Sequence, residues 1–393
     1  MSNKYTGLKA LQKANPEAAK RCASRLLEMR KSLAPIRKRK SDSSLLLATW
    51  NIRDFDSNKF GFGHRLPETF YYLAEIISSF DLIAVQEVNR DLSALHKVMG
   101  ILGREWDYIA TDSTVGAGGN DERMAFVYNT EKVWFRKIAG EIVLPDGQLV
   151  VSRKKAKASK KGAAEEEPPA EELAKAKAVF EEVKQQFART PFVVAFQSGW
   201  FRFSLCTVHI YYGAASGEAL KRRIAEIERL VEFFADRQDK ESKQEKDRSD
   251  NVENYILLGD FNVVSPEHKT MQALKGNGFT VPAAIDGAKV RGPEDHFYDQ
   301  IAVRVKDQRF KVVGGGMVNM YQDVFRDEDM AIYRSAMPKA DPEKNPKFKA
   351  KTPDALYRKW RTWQMSDHNP LWIEIETDFA DDYLKKLAQK TPG

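Results

Sequence analysis

Short polar motifs, each attached to an apolar run, supply the carboxylates, amides and histidines that metal-assisted hydrolysis of a phosphate ester requires. The apolar runs predict buried strands. We expect the polar residues to lie at or just past the C-terminal ends of these strands, where side chains can converge on one point. Residues scattered along helices could not converge in this way. In chain order, the candidate residues are Asn51, Glu87, Glu122, His209, Asp260, Asn262, Asp299, Asp367 and His368.

Glu87 closes the apolar run FDLIAVQEV and is the leading candidate for a metal ligand. An unpaired buried carboxylate is costly, so this side chain should face a cation or a strong donor. A hard divalent ion such as Mg²⁺ or Mn²⁺, held by few protein ligands and several waters, fits that requirement. Asn51, at the end of the preceding predicted strand, could supply a neutral oxygen ligand or a phosphate contact. Taken alone, either residue is more often an ordinary structural group.

The motif GDFN predicts a site for activating water. Gly259 lets the backbone turn sharply after the apolar run. Asp260 and Asn262 are two positions apart, so both side chains can point the same way. Asp260 suits activation of a water molecule, and Asn262 suits orienting that water or holding the developing phosphorane. In isolation the tetrapeptide is also typical of an Asx turn.

Two histidines, His209 in TVHIYY and His368 in SDHNP, are candidates for proton transfer, because histidine exchanges protons near neutral pH. A lone histidine in a strand is more often a core residue. Here Glu122 and Asp299 are candidate orienting carboxylates, which favours a catalytic role. The remaining histidines lack such surroundings and are taken as ordinary residues: His64, His96, His268 and His296.

The elements that must position these residues are mostly short strands. The pattern predicts helices near 16–34, 67–80, 91–103, 171–187 and 218–235. Many strands form sequence-local pairs with few crossover helices, which favours two sheets face to face with helices outside over a doubly wound sheet. The predicted strands lie near 45–52, 81–88, 107–111, 124–129, 133–143, 192–197, 201–210, 254–259, 298–305, 310–319 and 370–376.

The composition is that of a soluble globular protein, with 42% hydrophobic and 30% charged residues among 393. This length suits one large domain or two. No apolar run is long enough to span a bilayer, and the N-terminal segment lacks a secretory signal. Cys22 and Cys206 lie on unlike segments, so we expect no disulfide and a reducing, cytoplasmic location.

The net charge of +7 is concentrated at the N-terminus. Residues 1–40 carry twelve Lys and Arg against two acidic residues, or +10, so the rest of the chain is slightly acidic at −3. The run RKSLAPIRKRKSD is either a solvated linker or a phosphate-contacting arm. Two charged insertions are predicted at 152–190 and 238–252. The low-complexity part, 152–172, is typical of disorder and leads into the predicted helix at 171–187.

In this order, the motifs W-N-I-R, V-Q-E-V, T-V-H, G-D-F-N, Y-D-Q-I and S-D-H-x-P-L resemble the endonuclease/exonuclease/phosphatase superfamily. The resemblance is strongest to its deoxyribonuclease I branch and covers roughly residues 45–376. It implies a four-layered α/β sandwich of two packed mixed sheets with outer helices. The expected organisation is a basic helical arm and linker at 1–44, the catalytic domain at 45–378, and a tail at 379–393.

The resemblance also implies a role for each candidate residue. Asp260 and Asn262 would position water and the scissile phosphate, and Arg189 would contact phosphate. The metal would lie at Glu87 with Asn51. The remaining roles are Asp367 completing the metal or polar network, and a general acid/base pair of His209 and His368 oriented by Glu122 and Asp299, respectively.

Some positions depart from the pattern of particular branches. Arg53 stands where abasic-site nucleases carry an aspartate, and HFY before Asp299 lacks the tryptophan of their abasic pocket, so abasic-site repair is disfavoured. Asn89 and Asn120 replace an arginine and a groove-inserting tyrosine of deoxyribonuclease I, whose disulfide cysteines are also missing. Arg90 and the run RKWRTW are candidate substitutes for gripping a duplex, or plain surface charge.

The resemblance implies a metal-dependent phosphodiester hydrolase, foremost an endonuclease that cleaves DNA rather than RNA. Two alternatives stay open. One is a hydrolase of the same fold acting on a phospholipid headgroup or another small phosphate ester, which the modest charge of residues 45–378 allows. The other is a catalytically dormant module that uses the basic arm and the 152–190 insertion to recruit nucleic acid or a protein partner.

Overall fold

Two mixed β-sheets packed face to face form the centre of the molecule, and helices cover both outer faces. The computed structural model describes residues 3–113, 122–155, 180–244, 253–290, 296–338 and 352–389. The strands are β1 (Ser44–Phe55), β2 (Leu82–Asn89), β3 (Trp106–Ala110), β4 (Glu122–Asn129), β5 (Trp134–Glu141), β6 (Val150–Lys155), β7 (Phe180–Gln185), β8 (Phe192–Ser198), β9 (Phe201–His209), β10 (Tyr255–Asp260), β11 (Asp299–Arg304), β12 (Val312–Met317) and β13 (Leu371–Glu376).

The α-helices are α1 (Leu8–Ala14), α2 (Pro16–Ser32), α3 (Ala34–Arg37), α4 (Pro67–Ile77), α5 (Ser93–Leu102), α6 (Gly217–Gln244), α7 (Lys269–Leu274), α8 (Met330–Tyr333), α9 (Pro353–Gln364) and α10 (Ala380–Gln389). Short 3₁₀ segments span Tyr5–Gly7, Asp146–Gln148, Met320–Gln322 and Asp327–Asp329. None of the helices in the described ranges is both long and apolar enough to span a membrane.

Each sheet is built around one parallel pair of strands. Across the described residues, the larger sheet has the order β12-β13-β1-β2-β4-β3 and the smaller β11-β10-β9-β8-β5. The pairs β1–β2 and β9–β10 are parallel, and all their neighbours in these sheets are antiparallel. An antiparallel neighbour begins where a parallel strand ends, so strand starts and strand ends meet at one edge.

Strand β1 shows why the apolar runs are continuous. Leu45 and Leu47 join the apolar cluster that contains the second sheet, whereas Leu46, Ala48 and Trp50 join the cluster formed with the outer helices. Successive side chains point to opposite faces of a sheet, so β1 is covered on both sides. The predicted layered α/β sandwich of two mixed sheets with outer helices is confirmed.

The basic N-terminal segment packs onto the sandwich through helix α2. Asn15 caps this helix by accepting a hydrogen bond from the Ala18 amide, 3.0 Å away. On its inner face Cys22, Leu26 and Met29 are buried in the same cluster as helix α4. The predicted boundary at residue 44 stays a prediction, but this segment shares its core with the rest of the chain.

Half of the twelve basic side chains at this end face carboxylates of the sandwich. Ion pairs of this kind neutralise much of the local charge, so the segment presents fewer free cations than its sequence suggests. The pairs are Arg21 with Glu68 at 2.8 Å, Arg25 with Asp329 at 2.6 Å, Arg30 with Glu75 at 3.3 Å, Arg37 with Glu75 at 2.6 Å, Arg39 with Glu374 at 2.7 Å and Lys40 with Asp81 at 3.2 Å.

Both predicted insertions differ from expectation where the structure describes them. The helix predicted at 171–187 is wrong from residue 180, because 180–185 form β7, which pairs with β6. Arg153 lies opposite Glu182 in that ribbon, and opposite charges across a strand pair are stabilising. The loop predicted from 238 instead continues helix α6 to Gln244. Residues 156–179 and 245–252, and Asn120, lie outside the described residues.

Candidate active site

The candidate residues gather at the edge of the sandwich where the parallel strands end. Glu122 and Asp299 open β4 and β11, and the pair at 367–368 precedes β13. The expectation that all candidates follow strand ends is therefore wrong for these four. They still reach the same edge, because β4, β11 and β13 run antiparallel to the strands beside them.

The backbone at this edge takes conformations that side chains rarely favour. Glu87 and Asn262 have φ values of 57° and 52°. Gly259 has φ of 132°, and a Cβ there would lie 2.2 Å from the carbonyl oxygen of Val208 on the neighbouring strand. The glycine of GDFN is thus required by close strand approach. Strained backbone of this kind persists only where the surroundings hold it in place.

His209 is held by a carboxylate and an arginine. Its Nδ1 lies 2.8 Å from Glu122 Oε2, and Arg189 Nε lies 3.0 Å from that same oxygen. Burial and the Arg189 charge lower the pKa of His209, but Glu122 and Asp260 outweigh them, so its pKa is raised. The imidazole is therefore biased towards its protonated form, with Nε2 directed away from Glu122.

His368 is held in the same way from the other side. Its Nδ1 lies 2.5 Å from Oδ2 of the fully buried Asp299, and its backbone amide donates to Ser366 Oγ at 3.0 Å. Burial alone would lower the pKa of His368, but the Asp299 carboxylate, with Asp260 and Asp367 nearby, raises it. The two histidines are thus matched: each has a carboxylate at Nδ1.

Asp260 lies between the two imidazoles. Its Oδ2 is 3.6 Å from His209 Nε2 and 3.9 Å from His368 Nε2. The carboxylate is fixed by two donors, since Oδ2 accepts from Asn51 Nδ2 at 3.0 Å and Oδ1 accepts from the Asn262 amide at 2.9 Å. A fixed carboxylate facing two imidazoles can accept a proton from a bound water.

Glu87 and Asn51 form the part of the site that suits a cation. Asn51 Nδ2 donates to Glu87 Oε1 at 3.0 Å, and the backbone amide of Asp54 donates to Glu87 Oε2 at 3.0 Å. Asn51 Oδ1 is buried and has no hydrogen-bond partner among the described residues. A buried amide oxygen without a donor, next to a carboxylate, fits a hard divalent ion.

The proposed metal ligands, Glu87 and Asn51, do not form a cluster of charged residues. Within the described ranges there is no group of three or more His, Cys, Asp or Glu side chains that could hold a metal ion. A magnesium ion that keeps several waters needs only one or two carboxylates, so the donors at Glu87 and Asn51 suffice. The structure pairs Asp367 with Arg53, whose Nη1 lies 3.1 Å from Asp367 Oδ2.

Asn262 and Arg189 occupy different depths of the site. The Asn262 side chain is buried and donates from Nδ2 to the carbonyl oxygen of Ile210 at 2.8 Å, which leaves its amide oxygen as the group that could orient a water. Arg189 lies in the opening beside Glu122 and His209. Its guanidinium is therefore the better placed of the two to meet an incoming anion.

These residues open into one cleft of about 440 Å³. Half of its lining consists of predicted residues, with Asn51, Asp260, Asn262 and Asp299 buried behind them. The other side comes from helix α9, whose run RKWRTW is the candidate duplex contact named above, and from the loop after β1, which was not predicted. The only signal for that loop was the aromatic and glycine-rich run NKFGFG. The lining residues are Glu87, Glu122, Arg189, His209, Asp367, His368, Arg53, Lys59, Phe60, Phe62, Lys359 and Trp363.

No family model matches the sequence, and no curated protein matches it. One similar solved structure is an endonuclease/exonuclease/phosphatase family protein from Bacteroides thetaiotaomicron, with 17% identity over 85% of this chain and 95% of that chain and a TM-score of 0.45. The mannosyl-6-phosphatase of B. thetaiotaomicron VPI-5482 has 17% identity over 84% of this chain and 99% of that chain, with a TM-score of 0.43. D. rerio TDP2 complexed with single strand DNA product has 10% identity over 85% of this chain and 100% of that chain, with a TM-score of 0.45. With TM-scores below 0.5, none of them bears on what this chain does. The superfamily that the sequence motifs resemble is also the one named for the first of these structures.

Proposed function

We propose that the protein is a metal-dependent phosphodiester hydrolase of the endonuclease/exonuclease/phosphatase superfamily, with DNA as its substrate. The observation that supports this is the convergence of two carboxylate-held histidines on one oxygen of Asp260. Hydrolysis of a phosphodiester needs a base for water, positive charge at the phosphoryl oxygens and an acid for the leaving oxygen. The cleft holds one carboxylate and two imidazoles around a single point, and these groups can fill the three roles.

In this mechanism Asp260 accepts a proton from the water that attacks phosphorus. One protonated histidine donates to a phosphoryl oxygen, and the other protonates the leaving oxygen. The pKa of His209 is raised, because Glu122 and Asp260 outweigh burial and Arg189, and this favours its charged form. Arg189 binds the phosphate at the opening, and Asn262 orients the water beneath it.

Mg²⁺ or Mn²⁺ is the proposed cofactor, held by Glu87 and Asn51, with Asp367 at the rim of the same cleft. A bound divalent ion would supply positive charge for the pentavalent phosphorane and the departing oxygen. The Asn51 amide orientation suits that role, because its nitrogen is committed to Glu87 and Asp260 and its oxygen is left for a cation. The proposed setting is a reducing, cytoplasmic one, and both cysteines are free thiols.

The test is nicking of supercoiled plasmid by the purified protein with Mg²⁺, with Mn²⁺ and with EDTA. Metal-dependent nicking is expected, and His209→Ala and His368→Ala should each lower its rate by roughly 10²–10⁴-fold. Glu87→Gln should weaken the metal dependence, so that more Mg²⁺ is needed for half-maximal rate. His96→Ala is the matched control, because His96 is outside the cleft and pairs with Tyr108.

The outcomes separate the possible substrates and the alternatives. Nicking that both histidine variants retain would contradict the mechanism. No nicking and no cleavage of single-stranded DNA, together with metal-dependent hydrolysis of a small phosphodiester, would keep the chemistry and move the substrate to a small ester. Binding of nucleic acid without turnover of any ester would identify a dormant module. A parallel assay with an RNA of the same sequence decides between DNA and RNA.

A further inference from the structure

One side of the catalytic cleft is a wall of aromatic and cationic side chains, which we call the stacking wall. It consists of Arg53, Lys59, Phe60, Phe62, Lys359 and Trp363. The first four come from β1 and the loop that follows it, and the last two come from helix α9. The proposed mechanism uses none of these side chains, so the wall needs its own explanation.

The rings of the wall are stacked on one another. Trp363 and Phe62 have ring centroids 4.9 Å apart and planes 8° apart, and Phe60 lies 4.6 Å from Trp363. The Arg53 guanidinium carbon lies 3.9 Å from the Trp363 ring centre. Because Phe62 and Trp363 are buried, the groups that reach the cleft are the guanidinium, the half-buried Phe60 and two lysines.

The cations of the wall are held over its rings. Lys59 Nζ lies 5.3 Å from the Phe60 ring centre, and Lys359 Nζ lies 5.5 Å from that of Phe62. The Arg53 guanidinium is held in one orientation, because its Nη1 donates to Thr362 Oγ1 at 2.8 Å and lies 3.1 Å from Asp367 Oδ2. A planar cation fixed on an indole, beside an accessible ring, is a platform for a flat aromatic group that is attached to a phosphate.

The stacking wall lies directly beside the proposed catalytic residues. Arg53 contacts Asp367, the residue directly before His368, and both Asp367 and His368 line the same cleft as Phe60. A phosphate bound between the histidines would therefore place its neighbouring substituent against the wall. In a nucleic acid that substituent is a nucleoside, and its base offers a flat face.

We propose that the stacking wall binds an unpaired nucleobase next to the scissile phosphate, with Phe60 and the Arg53 guanidinium against the base and the lysines near the flanking phosphates. The inference rests on the proposed phosphodiesterase function and narrows its substrate to nucleic acid that is single-stranded at the cleaved linkage. In a duplex both faces of each base are covered by stacked neighbours, so a paired base cannot use the wall without being unstacked.

The test uses single-stranded oligodeoxynucleotides with one normal phosphodiester linkage among phosphorothioates. In one probe natural bases flank that linkage, and in the other abasic spacers flank it. Stacking of one base corresponds to roughly 5- to 150-fold in rate, so the natural probe should be cleaved faster by that factor. Annealing a complementary strand should slow cleavage of the natural probe.

Substitutions in the stacking wall test whether it causes the difference in rate between the two probes. Phe60→Ala and Arg53→Lys should lower the ratio of the natural-probe rate to the abasic-probe rate towards one. Using the ratio cancels any general loss of folded enzyme. Trp134→Ala, at an exposed tryptophan that does not line the cleft, is the matched control and should leave the ratio at the wild-type value.

Equal rates on the natural and abasic probes, or a ratio that Phe60→Ala and Arg53→Lys leave unchanged, would overturn the inference. Hydrolysis of bis(p-nitrophenyl) phosphate without cleavage of either oligonucleotide would also overturn it, while the phosphodiesterase activity would stand. If wild-type protein with Mg²⁺ or Mn²⁺ hydrolyses none of the three substrates, the proposed function itself fails.

Discussion

Replacing Glu122 with glutamine removes the charge that supports His209. Glu122 Oε2 lies 2.8 Å from His209 Nδ1, and the side chain also pairs with Arg189, so the change acts on two residues and leaves the strands in place. A hydrogen bond to a charged group contributes about 1.5–3 kcal/mol, and each 1.36 kcal/mol changes a rate tenfold. Loss of that support in the transition state should lower kcat by roughly 10- to 150-fold.

The same substitution predicts a shift in the pH–rate profile. Glu122 raises the pKa of His209 against burial and Arg189, so Glu122→Gln should lower this pKa. A histidine that acts in its protonated form then loses its proton at lower pH, and the alkaline limb of the profile should move to lower pH. The assay is plasmid nicking or small-diester hydrolysis at saturating Mg²⁺ across the pH range.

Glu68→Gln is the matched control for Glu122→Gln. Glu68, like Glu122, is a carboxylate paired with an arginine, Arg21 at 2.8 Å, but it is buried on helix α4 away from the cleft. This control should lower thermal stability without moving the alkaline limb. If Glu122→Gln keeps the wild-type kcat and the wild-type alkaline limb, His209 is not the acid that the mechanism requires.

Three further predictions concern stability and are measured by urea denaturation. Arg65→Met should lower the free energy of unfolding by about 3–5 kcal/mol. Buried Arg65 donates to the backbone carbonyls of residues 53, 54, 364 and 365, and methionine offers these carbonyls no donor. Gly259→Ala should cost about 3 kcal/mol or more, since its Cβ would collide with the Val208 carbonyl. Leu26→Ala should lower the free energy of unfolding by about 2–5 kcal/mol, because this side chain of helix α2 is buried. A change below about 0.5 kcal/mol would show that the helix detaches from the sandwich.

The fold was accessible from sequence wherever a strand is covered on both faces. Such strands, including β1, β2 and β10, appear as continuous apolar runs, and their predicted bounds agree with the observed ones within three residues. Prediction failed where local composition was misleading. The β6–β7 ribbon is charged, and its pairing of a basic strand with an acidic one depends on a partner distant in sequence.

The candidate site, like the fold, could be predicted from sequence only in part. Glu87 and Asp260 could be proposed from sequence, because each ends an apolar run with a group that is costly to bury there. Of the stacking wall, only the run RKWRTW, which holds Lys359 and Trp363, was a candidate nucleic-acid contact. The contact of Trp363 with Phe62, 301 positions earlier in the chain, could not be predicted. Nor could the pairing of Arg53 with Asp367, which depends on how the loop after β1 is anchored by Arg65.

Three central contacts of the site cross from one sheet to the other. His209 lies on β9 of the smaller sheet and Glu122 on β4 of the larger, whereas Asp299 lies on β11 of the smaller and His368 precedes β13 of the larger. The hydrogen bond from Asn51 on β1 to Asp260 crosses in the same way. None of these pairs can form within one sheet alone, so the geometry of the site is set by how the two sheets pack. A change that shifts one sheet against the other should therefore disturb both histidines together, even when it lies in the core and touches neither.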